Sequence, residues 1–118
     1  MGERESRGST RRDTLNLLDY VVLDESGQAV DRAMARTLNV SEKGILLETH
    51  TPLVPGQQLL ITIGLRNNLF DFKGRVAHCE SCASECHCCG IEFLDVSPEE
   101  MSTLREFLTA FNAQNTPA

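Results

Sequence analysis

The sequence contains no tryptophan and only one tyrosine, so few aromatic side chains could stack on nucleotide bases. It also lacks any apolar run that approaches the roughly 18 residues of a membrane-spanning helix. The N-terminal residues are charged and polar, unlike the apolar segment of a signal peptide. We therefore expect a cytoplasmic protein without membrane insertion.

Motifs of common enzyme classes are also missing from the sequence. There is no G-x-S-x-G nucleophile elbow, no P-loop and no suggestive pair of carboxylates. His50 follows a predicted strand, and we interpret it as a surface residue rather than a general base. We therefore do not expect an enzyme. The 118 residues, with an apolar fraction of 41%, are typical of one globular domain.

Charge is unevenly distributed along the chain, whose formal net charge is −6. Residues 1–12 contain four Arg against two Glu, whereas the remaining residues contain seven Lys and Arg against fifteen Asp and Glu. An acidic body would repel polymeric nucleic acid, so we exclude that class of partner. A short basic arm on an acidic body suits a small anionic ligand, although the arm could also dock on its own acidic domain.

Short apolar segments separated by polar turns predict an all-β domain. Period-two alternation is clearest in residues 59–65 and 70–76, which indicates strands with one buried face. A cysteine-rich loop is predicted before the last strand. Six short antiparallel strands suggest a closed or nearly closed barrel. The predicted strands are residues 15–23, 29–38, 45–48, 59–65, 70–76 and 91–93.

A terminal helix follows the predicted strands. Ser97 suits the N-cap, Pro98 the first helical position, and Glu100 lies three residues after the cap. Apolar residues then recur at helical spacing as far as Phe111, and we expect this face to plug an opening of the barrel. We divide the chain into a flexible basic arm (1–13), a barrel with its helix (14–112) and a polar tail (113–118).

Two short motifs carry the chemistry of a possible binding site. Arg7 and Arg11 lie four residues apart in the basic arm, and Asn39, Ser41 and Gly44 form an N-x-S-x-x-G pattern between two apolar runs. A guanidinium can grip a phosphate through two parallel hydrogen bonds. It also matches the O6/N7 edge of guanine and can stack on a base. Gly44 provides either positive φ or room for close backbone approach.

Each motif also has a plain structural interpretation. Arginines in an N-terminal arm are usually solvated charge, and Asn and Ser in a turn usually bond to their own backbone. We favour the plain interpretation for either motif alone. Because both motifs occur in this order and the rest of the chain fits, we favour a ligand site.

Together the two motifs resemble the PilZ domain, the bacterial receptor module for cyclic di-GMP. The resemblance extends from Arg7 to about Phe111, and it includes a G-x-V strand at Gly74 and Val76. It implies a six-stranded antiparallel barrel with a C-terminal helix and a ligand bound on the outside of the barrel. The implied ligand-binding residues are Arg7 and Arg11, which clamp phosphates and guanines, Arg12 as a spare contact, and Asn39, Ser41 and Gly44 on the barrel.

Five cysteines near the last strand depart from the PilZ pattern. Cys79 and Cys82 have the C-x-x-C spacing of metal ligands, and His78 and His87 lie among the cysteines. Zinc binds four such ligands tetrahedrally, but no second C-x-x-C is present. Reduced thiols or a redox-responsive pair are the competing interpretations. We expect no cofactor apart from this weakly supported zinc, whose candidate ligands are Cys79, Cys82, Cys86 and Cys88.

The leading functional hypothesis is a cyclic di-GMP receptor or adaptor. Its N-terminal arm would become ordered when the ligand binds and would change a surface that an unidentified downstream protein reads. One alternative is an interaction adaptor of the same fold that does not bind the nucleotide. Another is a metal or thiol sensor built on the cysteines.

Overall fold

A computed structural model of the protein describes residues 16–83 and 85–115. Its six strands pair antiparallel into a closed barrel in the order β1-β2-β3-β6-β5-β4, and one helix follows the last strand. This architecture confirms the predicted fold class. The strands are β1 (Leu17–Leu23), β2 (Ala29–Val40), β3 (Gly44–Thr49), β4 (Gln58–Leu65), β5 (Asn68–Ala83) and β6 (Cys86–Leu94), and the helix α1 is Pro98–Asn115.

Alternating side chains of the strands fill the inside of the barrel. In β4, every second residue from Leu59 to Leu65 is buried, as its period-two pattern predicts. β1 contributes Leu18, Tyr20 and Val22 to the same core. Burial raises the pKa of the Tyr20 hydroxyl, and the nearby Asp31 carboxylate raises it further.

The helix α1 begins with a capping box and closes one end of the barrel. The Glu100 N–H donates to Ser97 Oγ at 3.1 Å, and the Ser97 N–H donates to Glu100 Oε1 at 2.9 Å. Leu104, Phe107 and Phe111 are buried in the barrel core, as expected for a helix that plugs an opening. The helix continues to Asn115, so the predicted start of the tail at residue 113 falls inside it.

Two ion pairs join the exposed side of α1 to turns of the barrel. Arg105 Nε lies 3.0 Å from Glu42 Oε2 in the turn between β2 and β3. Glu106 pairs with Arg66 in the turn between β4 and β5. Both turns therefore lie at the end of the barrel that the helix covers. No helix among residues 16–83 and 85–115 is long and apolar enough to cross a membrane.

The predicted cysteine-rich loop is wrong, because residues 78–83 and 86–90 form paired strands. β5 and β6 continue as a hairpin in which Cys79 lies opposite Cys89 and Ala83 opposite Cys86. The outer part of β6 also pairs with β3, as far as Thr49 opposite His87. The cysteines and histidines of this segment do not alternate with polar residues in a strand pattern, so periodicity does not predict a strand here. Pairing with neighbouring strands on both sides of β6 determines the conformation instead.

The arm of residues 1–13 lies outside the described residues. The predicted ligand contacts Arg7, Arg11 and Arg12 therefore stay predictions.

Candidate functional site

The N-x-S-x-x-G motif occupies the end of β2, the following turn and the start of β3. The sequence predicted that Asn39 opens the turn, but β2 continues through Val40. The register between β2 and β3 shifts between Thr37 and Asn39, which leaves Leu38 without an opposite residue. Asn39 is exposed, and its Oδ1 accepts a hydrogen bond from the Val40 N–H at 2.9 Å. Among the described residues, nothing accepts a hydrogen bond from its side-chain amide.

Ser41 orders the turn that follows Asn39. Its N–H donates to the Gly44 carbonyl oxygen at 2.8 Å. Its Oγ accepts hydrogen bonds from the N–H groups of Lys43 at 3.2 Å and Gly44 at 3.3 Å. The hydroxyl thus satisfies backbone donors of its own turn, as the plain interpretation of the motif predicted. Ser41 contributes to the site mainly by fixing the shape of the turn.

Gly44 is needed because β6 passes very close to it. A Cβ at Gly44 would collide with the carbonyl oxygen of Ile91, an atom of the β6 backbone. The Phe93 N–H donates to the Lys43 carbonyl oxygen at 2.9 Å and holds the two segments together. Positive φ is not the reason for glycine here, since Gly44 is not among the described residues with positive φ. Close backbone approach, the second of the two predicted roles, is the one that the structure shows.

An open cavity of about 500 Å³ lies beside this turn on the outside of the barrel. It brings together all three predicted barrel-side residues. Its remaining wall comes from the outer faces of β3, β5 and β6. The polar residues and glycines in its lining are Asn39, Ser41, Lys43, Gly44, His78, Gly90 and Glu92.

His78 and Gly90 form a part of the cavity wall that the sequence analysis did not identify. They lie opposite each other in the β5–β6 register. A Cβ at Gly90 would collide with the imidazole of His78, so the exposed ring lies directly against the Gly90 backbone. Because His78 fell in a predicted loop, its register was not readable. The alternation of β5 buries Phe72, Gly74 and Val76 and would therefore place His78 on the inner face. A register shift between Val76 and His78 turns the ring outward instead, and the sequence carries no signal of that shift.

The described part of the cavity has little positive charge. Lys43 and Glu92 both line the cavity, and both are exposed. The Glu92 carboxylate is paired with Arg75, whose Nη2 lies 2.9 Å from Glu92 Oε1. Arg75 thereby offsets a negative charge that would repel an anion in the cavity. Tight binding of a polyanion requires further cations, which is the role predicted for Arg7 and Arg11.

Comparison with known proteins agrees with this architecture. The family profile described as "PilZ domain" matches residues 5–110. The chain belongs to the PilZ domain family. A search of curated protein sequences found no match.

Solved PilZ structures share the fold at low sequence identity. The PilZ domain of YcgR from Escherichia coli with c-di-GMP has a TM-score of 0.64 and 13% identity, over 83% of each chain. The PilZ domain of CeSA from a cellulose-synthesizing bacterium has a TM-score of 0.57 and 12% identity, over 81% of this chain and 93% of that one. The K. pneumonia MrkH–c-di-GMP complex has a TM-score of 0.61 and 11% identity, over 86% of this chain and 49% of MrkH.

Nothing in the PilZ pattern calls for the cysteines of the β5–β6 hairpin. In the structure Cys79 is disulfide-bonded to Cys89, and Cys82 to Cys88. The fifth cysteine, Cys86, is in neither disulfide. Within residues 16–83 and 85–115, no three His, Cys, Asp or Glu side chains are grouped as metal ligands would be. The candidate zinc ligands Cys79, Cys82, Cys86 and Cys88, which the sequence offered beside the expectation of no metal, stay untested.

Proposed function

We propose that this PilZ domain is a receptor for cyclic di-GMP, which it binds in the cavity beside the turn between β2 and β3. The observation that carries the proposal is the convergence of Asn39, Ser41 and Gly44 on one open cavity of about 500 Å³. This volume is within the usual range of about 300–1,000 Å³ for small-ligand sites. The solved relatives YcgR and MrkH, which share the fold, carry c-di-GMP in their structures.

The residues of the site have different roles in this proposal. Arg7 and Arg11 from the arm bind phosphates and guanine edges through their planar forks of donors, with Arg12 as a spare contact. Asn39 offers its side-chain amide to the ligand. Ser41 and Gly44 act indirectly, since they set the shape of the turn and the close approach of β6.

His78 provides an aromatic surface for base stacking in a sequence that has no tryptophan. Its imidazole is exposed in the cavity wall and rests on Gly90, where no side chain competes for the space. Histidine rings are among the aromatic side chains on which unpaired bases stack. We assign His78 the role of a platform for one guanine base.

Ligand binding would be transmitted through the arm and the turn. The arm loses conformational freedom when its arginines engage the ligand, and this ordering reshapes the outside of the barrel. The turn itself is linked to α1 by the ion pair between Glu42 and Arg105. An unidentified downstream protein would read the changed surface.

Titration calorimetry with cyclic di-GMP tests the proposal. We expect wild-type protein to bind, and we expect Arg7→Ala and Arg11→Ala each to lose about 1.5–3 kcal/mol of binding free energy. This loss corresponds to roughly 10-fold to 150-fold weaker binding. Arg11→Lys should restore little, because an ammonium lacks the planar fork.

Arg4→Ala is the matched control, since it removes the same charge from the arm but lies outside the motif. Its affinity should remain near that of the wild type. Cyclic di-AMP should bind far more weakly, because adenine presents a donor where guanine has O6. If cyclic di-GMP does not bind the wild type, or if Arg7→Ala and Arg11→Ala bind as well as Arg4→Ala, the assignment is wrong and a nucleotide-free adaptor is the better explanation.

A further inference from the structure

Four cysteines of the β5–β6 hairpin form two pairs on opposite faces of the sheet. Cys79 lies directly opposite Cys89, with their Cα atoms 4.0 Å apart, and the Cα atoms of Cys82 and Cys88 are 5.7 Å apart. The side chains of consecutive residues in a strand point to opposite faces of the sheet, so Cys88 and Cys89 belong to different pairs. Cys89 is fully buried and Cys79 packs against the core, whereas Cys82 is exposed.

This arrangement favours sulfur pairing over metal binding. A tetrahedral zinc site needs its ligands to converge on one point, and thiols on two faces of one hairpin do not converge. The inner pair is also fitted to its surroundings. The Leu53 N–H donates to Cys79 Sγ at 3.4 Å, and Thr49 Oγ1 lies 3.8 Å from Cys89 Sγ. Both sulfurs thus contact the segment that ends β3 and leads to β4.

The inner pair is adjacent to the cavity in sequence and in register. Cys79 follows His78 directly, and Cys89 directly precedes Gly90. The Cys79–Cys89 pair and the His78–Gly90 pair are neighbouring rungs of the same ladder between β5 and β6. A covalent link at one rung therefore restrains the separation of the strands at the other.

We propose that the hairpin is a site of reversible thiol oxidation at which Cys79–Cys89 and Cys82–Cys88 close as disulfides and the inner disulfide stiffens the cavity wall. Each pair of thiols gives two protons and two electrons to a low-molecular-weight disulfide. That oxidant is reduced to two thiols as one protein disulfide forms. The outer pair, of which Cys82 is exposed, reacts first, and the inner pair, which lies against the core, reacts more slowly.

The effect on the ligand rests on the proposed function of the cavity. When Cys79–Cys89 is closed, the His78 platform is held in place before the ligand arrives. A site that is organised in advance binds more tightly, because less ordering accompanies binding. We expect the oxidised protein to bind cyclic di-GMP roughly threefold to tenfold more tightly than the reduced protein.

Disulfide mapping by mass spectrometry tests the thiol site without any nucleotide. The protein is equilibrated with oxidised or reduced glutathione, alkylated and digested. We expect Cys79–Cys89 and Cys82–Cys88 links with Cys86 alkylated in the oxidised sample, and five alkylated cysteines in the reduced sample. Other pairings in wild type, no links, or about one zinc per chain in freshly purified reduced protein would each overturn the proposal.

Calorimetry on both redox forms tests the link to the cavity. Cys79→Ala should remove the dependence of affinity on redox state, whereas Cys82→Ser, which breaks only the outer pair, should keep it. Equal affinities of the oxidised and reduced wild type would refute the stiffening. If Cys79→Ala does not fold, wild type and Cys82→Ser still decide this point. If both disulfides form but cyclic di-GMP binds neither form, the thiol site is confirmed and the proposed nucleotide function fails.

Discussion

The contact between His78 and Gly90 places a flat, exposed ring on the outside of the barrel. Gly90 leaves the outer face of β6 bare, and the His78 ring from β5 lies across it. The ring is flat, exposed and beside the Asn39 turn, so it could receive a base without rearrangement of the barrel. This role would make up for the absence of tryptophan and the presence of only one tyrosine in the sequence.

Replacement of the imidazole should lower the affinity for cyclic di-GMP more than it lowers the stability of the fold. We expect His78→Ala to lose at least about 1 kcal/mol of binding free energy for cyclic di-GMP, because stacking on a base is lost. The affinity should therefore fall by roughly fivefold or more. The thermal midpoint should hardly change, since the ring is exposed. His50→Ala is the control, because His50 is also exposed but does not line the cavity. Equal affinities of the two variants would remove His78 from the site.

Gly44 and Gly90 should respond differently to the same added methyl group. In Gly44→Ala the Cβ meets the Ile91 carbonyl, which belongs to the sheet backbone and cannot move alone. Overpacking of this kind costs about 1–3 kcal/mol, and denaturant unfolding should show that loss of stability. In Gly90→Ala the three atoms nearest to the Cβ all belong to the His78 ring, which can rotate away. Gly90→Ala should therefore keep its stability and lose ligand affinity, and the reverse pattern would contradict this account of the two glycines.

At the scale of elements, the sequence predicted those with a clear periodicity. The alternation in β4 and the capping signals before α1 both led to correct elements, because each reflects local physics that the fold does not override. The outer part of the β5–β6 hairpin was not predicted, since its cysteines and histidines show no strand period and the further pairing of β6 is with β3, which is distant in sequence. The motif of Asn39, Ser41 and Gly44 located the cavity. It could not reveal which residues of β5 and β6 complete the wall.

The capping box is the element-scale feature that is easiest to test. Ser97→Ala removes the Oγ that accepts the Glu100 N–H, and the unfolding free energy should fall by about 0.5–2 kcal/mol. The loss should spread to the barrel, because α1 buries Leu104, Phe107 and Phe111 in the common core. Ser102→Ala is the control, since Ser102 is an exposed serine within the same helix. Chemical denaturation followed by circular dichroism measures both, and equal stabilities would mean that the cap contributes nothing.

At the scale of the whole molecule, negative charge is concentrated in the body and positive charge in the N-terminal arm. The body is acidic. Lys43 lines the cavity, and it has no ion-pair partner among the described residues. The arm carries the arginines that a polyanionic ligand needs. The turn beside the cavity is in turn tied to α1 through Glu42 and Arg105. Under the proposed function, binding of the ligand by the arm would be passed through this turn to α1 and to the surface that a partner would contact.

Limited proteolysis with trypsin tests whether the ligand brings the arm onto the barrel. Cleavage after Arg7, Arg11 and Arg12 should be fast without ligand and markedly slower with saturating cyclic di-GMP, because arginines that grip phosphates are withheld from the protease. Cyclic di-AMP is the control ligand and should give little protection, since its bases lack the guanine edge. Mass spectrometry of the released peptides measures the rate at each arginine separately. Protection of Arg7 and Arg11 but not of Arg4 would show that the motif, rather than the general charge of the arm, engages the ligand. Equal cleavage rates with and without cyclic di-GMP would instead mean that the arm is docked before binding or takes no part in it.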